Sequence, residues 1–323
     1  MKPLKPVPIE EIRSARHRIS DSTIRTPLLR FNYDGLRAQH TEIYLKLENL
    51  QPSGAFKLRG AINAIKLADP VKLDKGVWTA SSGNMALAVA TAASNFGLDC
   101  TAVVADITPK AKLEAIEKLG SKIIKVPWLK ILEIARVHSL SGMQGLFIHP
   151  FSNPDVMAGN ATVGLEIVED LPDVNVVLVP YGGGGFAASV ASAVKYIKPN
   201  TRVYAAEVEF GAAFSASLAA GKPVEIEHPP SFVSGIGSPH VFEDVWPLVK
   251  NILDGSIVSS MEETAKAVKL IAERARVVAE GAGAASVAGA LFDETLQGKV
   301  VAVVSGGNID SDKFANILSD KAP

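Results

Sequence analysis

Residues 52–61 read PSGAFKLRGA and place one lysine, Lys57, directly after a turn and at the start of an expected helix, Lys57 to about Ala68. A predicted strand, Ile43 to Glu48, precedes this stretch. The positive end of a helix dipole disfavours another positive charge, and partial burial disfavours the ammonium form, so both lower the pKa of Lys57. A neutral amine condenses with aldehydes, which makes Lys57 a candidate for a Schiff base. A solvated surface lysine in a capped turn is the ordinary alternative.

The composition limits the class of protein. The chain has 323 residues, enough for one large domain or two ordinary ones. Its net charge of −1 does not favour a nucleic acid or an anionic membrane as a partner. No apolar run reaches the roughly 18 residues of a membrane span, and the first residues lack the apolar core of a signal peptide. We therefore expect a cytoplasmic protein. Cys100, the single cysteine, excludes an internal disulfide and a thiolate metal cluster.

Strands and helices alternate along most of the chain. The apolar and turn patterns predict strands at 43–48, 77–80, 100–104, 122–126, 174–179, 202–207 and 299–304. They predict helices at 9–19, 57–68, 85–96, 109–120, 130–141, 154–170 and 260–278, and a small-residue helix that ends near residue 197. This alternation is typical of βαβ units and parallel sheets. The sequence therefore predicts an α/β fold with two lobes, in which residues 210–254 are less regular.

Four of the predicted strands are followed by unusual polar or glycine-rich loops. These loops lie around Lys57, at Ser82 to Asn84, at Gly182 to Gly185 and at Ser305 to Asn308. The carboxyl ends of parallel strands gather at one edge of a sheet, so we expect the loops to meet in a cleft. The glycine loop opens a helix, and its bare N–H groups and the helix dipole favour an anion, most naturally a phosphate.

A dinucleotide site is an alternative for the glycine loop. Gly182, Gly184 and Ala187 fit the pattern G-x-G-x-x-A after a strand, and Glu207 lies where a ribose-binding acid would follow. This pattern indicates an NAD-dependent oxidoreductase or a non-catalytic nucleotide-binding protein. It leaves the Lys57 loop and the position of Ser305 unexplained.

Six motifs in order resemble those of the fold-type II pyridoxal phosphate enzymes. They are the Lys57 stretch, Ser81-Ser82-Gly83-Asn84, His149-Pro150, the tetraglycine loop, Glu280-Gly281-Ala282-Gly283-Ala284 and Ser305-Gly306-Gly307-Asn308. The chain is most similar to the serine/threonine dehydratase and serine racemase branch, over roughly residues 20–310. The resemblance implies pyridoxal 5'-phosphate as cofactor, a three-layer αβα architecture and a homodimer. It also implies a larger domain, residues 1–70 and 152–323, and a smaller domain, residues 71–151, that closes over the substrate.

The resemblance assigns roles to the loop residues. Lys57 would form the Schiff base and move the α-proton, and Ser82 would bind the substrate carboxylate or move a proton. The cofactor would contact Phe56, Lys57, Asn84, Gly182, Gly183, Gly184, Gly185, Phe186 and Ser305. The substrate would contact Ser81, Ser82, Gly83, Asn84 and Met85. A neutral Ser305 hydroxyl at the pyridine nitrogen would suit β-elimination better than transamination. Helix caps for Ser82 and Asn84, and a turn for Ser305, are the ordinary alternatives.

The sequence departs from this branch at several positions. Met85 and Leu87 stand where the branch has His and Gln, so we expect apolar bulk near the substrate carboxylate. Glu207 stands where the branch has the first acid of its cation site, but Gly211-Ala212-Ala213 supplies no second acid, and Glu209 is the only nearby substitute. We therefore expect no metal. The chain stops soon after the Ser305 loop, so no C-terminal regulatory domain is expected.

The expected activity is β-elimination from a β-hydroxy amino acid, which gives a 2-oxo acid and ammonia. Met85, Leu87 and Trp128 favour an apolar β-substituent, as in threonine or a β-aryl serine. Racemisation and β-replacement with a thiol on the same cofactor are the alternatives.

Overall fold

A computed structural model describes residues 3–33, 41–81, 83–108 and 110–322, and within them ten strands form two sheets. The strands are β1 Leu28–Phe31, β2 Thr41–Lys46, β3 Val77–Ala80, β4 Cys100–Ala105, β5 Lys122–Val126, β6 Leu146–Phe147, β7 Val176–Pro180, β8 Arg202–Val208, β9 Gly255–Ser259 and β10 Gly298–Val303. None of the helices formed by these residues is both long and apolar enough to cross a bilayer.

Both sheets are mostly parallel, as predicted. The six-stranded sheet has the order β1-β2-β10-β7-β8-β9, and of its described pairs only β1–β2 is antiparallel. The four-stranded sheet has the order β5-β4-β3-β6, and its described pairs are all parallel. Because β10 lies between β2 and β7, the segments that follow these three strands leave one edge of the sheet side by side.

Helices fill most of the connections between strands. They are α1 Ile9–Ile19, α2 Lys57–Leu67, α3 Pro70–Leu73, α4 Asn84–Phe96, α5 Lys110–Glu117, α6 Trp128–Val137, α7 Pro154–Asp170, α8 Gly185–Ile197, α9 Ala213–Ala220, α10 Trp246–Ile252, α11 Met261–Leu270, α12 Gly281–Phe292 and α13 Ser311–Leu318.

The six-stranded sheet is covered on both faces. Successive side chains of a strand point to opposite faces, and along β7 Val177 and Val179 pack with α7 and α8, whereas Val176 and Leu178 pack with α11 and α12. All four valine and leucine side chains are fully buried. The sheet is therefore the middle of three layers, which confirms the αβα architecture.

The four-stranded sheet repeats this arrangement on a smaller scale. Its residue Val77 packs with α4, whereas Trp78 and Ala80 pack with Ile131 and Ile134 of α6. The strands of this sheet lie between residues 77 and 147. The domain boundaries at 70/71 and 151/152 stay a prediction.

The structure differs from the sequence prediction mainly in the second half of the chain. The segment expected to be irregular, 210–254, contains α9 and α10, and β9 follows it directly. Ser260 and Glu263 form the predicted capping box, but the helix they start ends at Leu270 in a π-helical turn, Ile271–Ala275. Neither α12 nor α13 was predicted. The helix expected at 130–141 begins and ends earlier, at Trp128–Val137.

Candidate active site

One cavity of about 620 Å³ lies at the carboxyl ends of strands from both sheets, next to Ala80, Ala105 and Pro180. Every described residue of the predicted site lines it: Phe56, Lys57, Ser81, Gly83, Asn84, Met85, Gly182, Gly183, Gly184, Gly185, Phe186 and Ser305. Ser82, the other predicted catalytic residue, lies outside the described residues. The structure therefore brings the four loops together around a single space.

Lys57 is the first residue of α2, as its sequence context predicted. Its Nζ donates a hydrogen bond to the carbonyl oxygen of Pro150 at 2.5 Å and lies 4.9 Å from the centre of the Phe56 ring. Burial lowers the pKa of Lys57 from 10.5 to about 8. An amine with this pKa is partly neutral near physiological pH, which is the form that reacts with aldehydes.

A buried network of ion pairs forms around Arg59, in the first turn of α2. Arg59 donates to both carboxylate oxygens of Glu48, at 2.8 Å each, and to both oxygens of Glu166, at 2.7 and 2.9 Å. Lys46 Nζ lies 2.6 Å from the Glu166 carboxylate. All four side chains are almost fully buried. The network anchors the helix that carries Lys57, and the sequence analysis did not detect it.

These charges stabilise one another. Burial alone would raise the pKa of Glu48, but Arg59 and Lys46 outweigh it, so the pKa of Glu48 lies below its usual value. Burial alone would lower the pKa of Arg59, but Glu48 and Glu166 raise it. Two carboxylates and two cations thus form a neutral set in a site without solvent.

The tetraglycine loop leaves β7 and enters α8 with little space around it. A Cβ at Gly183 would lie 2.5 Å from the Phe151 ring, and a Cβ at Gly185 would overlap the Phe151 carbonyl oxygen. Gly184 is the N-cap of α8 and has a φ of 82°, a conformation that favours glycine. The loop needs glycine for these reasons, and it presents bare backbone N–H groups at the start of a 13-residue helix.

Two predicted cofactor contacts, Phe56 and Phe186, pack against each other. Their rings are stacked with centres 3.6 Å apart and an angle of 14° between the planes. Phe56 precedes Lys57, and Phe186 follows the tetraglycine loop, so this stack connects the Lys57 segment with the glycine loop. Both side chains are buried at the cavity wall.

The Ser305 loop is paired with the Lys57 stretch through its backbone. Ser305 is 4% exposed, and its carbonyl oxygen accepts a hydrogen bond from the Phe56 N–H at 3.0 Å. The Gly307 N–H donates to the Gly54 carbonyl at 2.9 Å, and Ala55 and Gly306 form an isolated bridge between these bonds. The segments that follow β2 and β10 thus stay paired up to the cavity, and this pairing holds Lys57 near Ser305.

Asn84 connects the two sheets at the cavity. It is the first residue of α4, and its Nδ2 donates to Glu280 Oε1 at 2.5 Å. Asn308 Nδ2 donates to Asn84 Oδ1 at 2.8 Å and to the Ser53 carbonyl at 2.9 Å. The sequence analysis named Glu280 only as part of a motif and assigned it no role. The structure places its carboxylate at the cavity wall, between α4 and the glycine turn at Gly306.

His149 orders the segment that contacts both Lys57 and the glycine loop. Its Nδ1 accepts from the N–H groups of Phe151 at 3.2 Å and Ser152 at 2.9 Å, and its Nε2 lies 2.9 Å from the Ala135 carbonyl oxygen. Burial lowers the pKa of His149 to about 3, so the ring is neutral. The motif analysis assigned this histidine no role, and the structure makes it a support for Pro150 and Phe151.

Of the two substituted positions in α4, only one reaches the cavity. Met85 lines it but is 1% exposed and packs mostly into the core beside α2. Leu87 is not among the described residues of the cavity wall; it packs against Ala102 and Val104 of β4. The interpretation that Leu87 adds apolar bulk near the substrate is therefore wrong, because its position on the helix turns it towards β4.

Glu207 and Glu209, which the sequence suggested as possible ligands of a ribose or a cation, each accept hydrogen bonds from backbone N–H groups at the start of a helix. Glu207 accepts from the N–H groups of Phe214 and Ser215, at 2.9 and 2.8 Å, in the first turn of α9. Burial raises the pKa of Glu207. Glu209 accepts from the Met261 N–H at the start of α11. Over the described ranges, no group of three or more metal-ligating side chains occurs.

The chain belongs to a family of cofactor-dependent enzymes. The model of the family described as "Pyridoxal-phosphate dependent enzyme" matches residues 19–306. L-threonine ammonia-lyase of Thermotoga maritima is 39% identical over 319 residues, which cover 97% of this chain and 78% of that protein. A putative threonine dehydratase of Sinorhizobium fredii is 37% identical over 324 residues, which cover 99% of this chain and 97% of that protein.

Solved structures of the same branch superpose along nearly the whole chain. Maize serine racemase has a TM-score of 0.85 and 32% identity, with 98% of both chains covered. The threonine deaminase of T.th. also has a TM-score of 0.85 and 32% identity, with 94% of this chain and 98% of that chain covered. The family and branch inferred from the motifs are confirmed.

The residues at the cavity fit pyridoxal phosphate. The glycine loop, which packing keeps free of side chains, gives a cradle for a phosphate, and the Lys57 amine of lowered pKa gives a partner for an aldehyde. The dinucleotide alternative is set aside, because the family is pyridoxal-phosphate dependent and the Glu207 carboxylate holds the start of α9.

Proposed function

We propose that this protein catalyses β-elimination from a β-hydroxy amino acid and releases a 2-oxo acid and ammonia. The observation that carries the proposal is Lys57, an amine of lowered pKa at the wall of a cavity that the glycine loop also lines. The similarity to L-threonine ammonia-lyase and threonine deaminase supports this reaction type.

Bound pyridoxal phosphate supplies an aldehyde that reacts with amines and a ring that withdraws electrons from the α-carbon. We propose that the backbone N–H groups of Gly182, Gly183, Gly184, Gly185 and Phe186 hold its phosphate. Phe56, Asn84 and Ser305 then lie at the wall of the cavity where its ring would be held. A hydroxyl at Ser305 cannot keep a pyridine nitrogen protonated as a carboxylate would, which suits elimination.

The substrate carboxylate is proposed to bind at the start of α4, at Ser81, Ser82, Gly83 and Asn84, beside Met85. The N–H groups and the dipole of this 13-residue helix favour an anion there. Binding at this point orients the α-carbon between α4 and Lys57, because both line the same cavity.

Lys57 is proposed to remove the α-proton through its neutral Nζ, and Ser82 is proposed to assist proton transfer. The β-hydroxyl leaves with a proton as water, and the resulting enamine becomes an imine. Hydrolysis of the imine takes up one water and gives the 2-oxo acid and ammonia, so no oxidant or reductant is needed.

Racemisation is the second candidate. The match to maize serine racemase, with a TM-score of 0.85 over 98% of the chain, favours it. A proton delivered to the opposite face of the α-carbon would invert the centre without loss of the hydroxyl. Chiral analysis of the recovered substrate distinguishes the two reactions.

The arrangement of domains and subunits is also a proposal. We propose that residues 71–151 close over the substrate as a unit, which the separate four-stranded sheet supports. The resemblance to the branch supports a homodimer. A cytoplasmic location is part of the same proposal.

Lys57→Ala tests the proposal. We expect 2-oxo acid formation to fall by at least about 10³-fold, because the proton acceptor and the aldehyde's partner are both removed. Lys66→Ala, at the other end of the same helix, is the matched control and keeps activity. Borohydride reduction followed by mass spectrometry of the peptides should place the cofactor on Lys57. Full activity in Lys57→Ala, or a colourless protein that binds NAD, would refute the proposal.

A further inference from the structure

The cavity has an apolar wall that is separate from the residues proposed to bind the cofactor and to move protons. Ile107 follows β4, and Trp128 and Ile131 lie in α6, which follows β5. Strands β4 and β5 are neighbours, with Ala105 opposite Val126 at their carboxyl ends. The register therefore places these three side chains together on one side of the cavity.

This wall is partly anchored and partly open. Ile131 is 7% exposed and packs against Trp78, Ala80 and Val103 in the core. Ile107 is 77% exposed and Trp128 is 48% exposed, although both are large apolar side chains. Exposed apolar groups that gather at the rim of a cavity mark a binding surface. The anchored part fixes α6, and the open part leaves apolar surface facing the cavity and the solvent.

The segment around Pro229 faces the same cavity and adds further apolar groups. Pro229, Pro230 and Val233 line it, with His228 beside them. Apart from His228, only Lys57 and Glu280 have ionisable side chains among the described residues of the cavity wall. Glu280 is bonded to Asn84, and Lys57 is bonded to Pro150. The three apolar side chains Ile107, Trp128 and Ile131 themselves offer a charged β-substituent no partner of opposite charge.

The size of the wall exceeds what a small substrate can cover. Serine has a hydrogen and threonine a methyl group at this position, and either would leave the Trp128 ring in water. An aromatic ring can stack on or meet the edge of an indole and removes much more apolar surface from water.

From these observations we infer that the site is specific for β-hydroxy amino acids with a bulky apolar β-substituent, of which a phenyl group is the representative. The inference rests on the proposed elimination reaction and names its substrate class. Trp128 is the residue that determines the preference, and Ile107 and Ile131 complete the surface on which the ring packs.

The first experiment compares kcat/KM for threo-phenylserine, threonine, serine and 3-hydroxyaspartate. We expect phenylserine to exceed threonine by at least about 10-fold, since a single methylene in an apolar pocket changes kcat/KM by about 10-fold or more. Serine should lie below threonine, and 3-hydroxyaspartate should be the poorest substrate. A higher kcat/KM for threonine than for phenylserine would overturn the inference and leave the proposed reaction intact.

A pair of variants assigns the preference to Trp128. Trp128→Ser should lower kcat/KM for phenylserine by about 10-fold and change that for threonine by less than about 3-fold. Leu129→Ser is the matched control, because Leu129 is 75% exposed and is not among the described residues of the cavity wall. An equal loss for both substrates in Trp128→Ser would contradict the assigned role.

A binding measurement separates the inference from the reaction. Phenylalanine and alanine lack the β-hydroxyl and cannot eliminate water, so calorimetric titration of the holoenzyme reports binding alone. We expect phenylalanine to bind at least about 10-fold more tightly than alanine, and Trp128→Ser to remove this difference. If none of the four substrates gives a 2-oxo acid, the proposed reaction fails, while the phenylalanine-to-alanine ratio still decides the inference.

Discussion

The two sides of the cavity are built differently. The proposed cofactor side consists of the segments 52–57, 182–185 and 305–308, which follow the adjacent strands β2, β7 and β10. The described part of the proposed substrate side consists of Ser81, Gly83, Asn84 and the segments 105–108 and 128–131, which follow strands of the four-stranded sheet. The first is held by backbone pairing and close packing, whereas the second has free space and exposed side chains.

Three glycines illustrate the contrast. On the cofactor side, a Cβ at Gly183 or Gly185 would run into Phe151, so no other residue fits. On the substrate side, a Cβ at Gly83 would meet nothing within 4 Å among the described atoms. A cofactor is the same in every turnover and needs one fixed geometry, but substrates are distinguished by the parts that differ. We therefore propose that the closely packed cofactor side is common to the family and that the open substrate side sets the choice of substrate.

Of the substitutions considered, removal of Arg59 should lower the stability of the cofactor side most. Arg59→Met leaves the buried carboxylates of Glu48 and Glu166 with Lys46 as the cation that remains in the network. We expect the free energy of unfolding to fall by about 3–5 kcal/mol, because an uncompensated charge stays in the interior. Urea denaturation of the wild type and the variant measures this loss.

Arg25→Met is the control for Arg59→Met. Arg25 also contacts two carboxylates, Glu169 and Asp170, but its side chain is 47% exposed. Water screens such pairs, so the loss should stay below about 1 kcal/mol. Similar losses in the two variants would mean that burial of the Arg59 network contributes little.

The lowered pKa of Lys57 should be measurable in the cofactor-free protein. Because the pKa falls from 10.5 to about 8, acylation of Lys57 should reach half its maximal rate near pH 8. At pH 7 the neutral fraction is then about 300-fold larger than for an ordinary lysine. In the unfolded chain, Lys57 keeps its proton up to about pH 10.5, whereas in the folded protein it loses the proton near pH 8. The free energy of unfolding of the cofactor-free protein should therefore rise with pH between about 8 and 10.5.

Peptide mass spectrometry after timed acylation at each pH gives the Lys57 profile. Lys57→Arg removes the labelled peptide and serves as the control. A midpoint near 10.5 would mean that Lys57 is solvated like a surface lysine.

The glycine contrast can be tested directly by two alanine substitutions. Gly185→Ala should force the loop away from Phe151, with a loss of about 1–3 kcal/mol in stability. Pyridoxal phosphate should bind about 10-fold or more weakly, as followed by absorbance titration. Gly83→Ala should leave both stability and cofactor affinity within about 0.5 kcal/mol, because the added methyl group meets open space. Equal effects of the two substitutions would contradict the proposed difference between the sides.

Local signals explain which parts of the fold were predictable. The strands Val77–Ala80 and Lys122–Val126 and the helix Pro154–Asp170 have the predicted bounds, because periodicity and an Asn-Pro start mark them. The helix Gly281–Phe292 has small residues on all sides, and 11 of its 12 residues are buried, so it lacks the polar face that marks a helix in sequence. Its stability comes from packing, which no local pattern records.

The same distinction holds for the site. Lys57 and the tetraglycine loop were found because turn, helix start and glycine run lie within a few residues. Their supports come from far along the chain: Glu166 is 107 residues from Arg59, and Glu280 is 196 residues from Asn84. A single sequence carries no signal for such pairings, so the buried network and the role of Glu280 required the structure.

Glu280 joins the two sides, and its substitution should have a smaller effect than those at Arg59, Lys57 and Gly185. Glu280→Gln keeps the size of the side chain but weakens the hydrogen bond from Asn84, which is charge-assisted in the wild type. We expect a loss of about 1–2 kcal/mol in stability. Asp310→Asn is the control, because Asp310 precedes α13 without a side-chain capping bond. Its loss should be below about 0.5 kcal/mol.

Glu280→Gln also tests whether the two sides of the cavity act independently. If Asn84 is held against the cofactor side through Glu280, Glu280→Gln should raise KM for the amino acid, since the start of α4 then positions the carboxylate less well. The Trp128-dependent ratio between phenylserine and threonine should stay unchanged, because the preference is set at the apolar wall and Glu280 acts at the joint with Asn84. A changed ratio with an unchanged KM would mean that Glu280 acts on the wall instead of on the joint at Asn84.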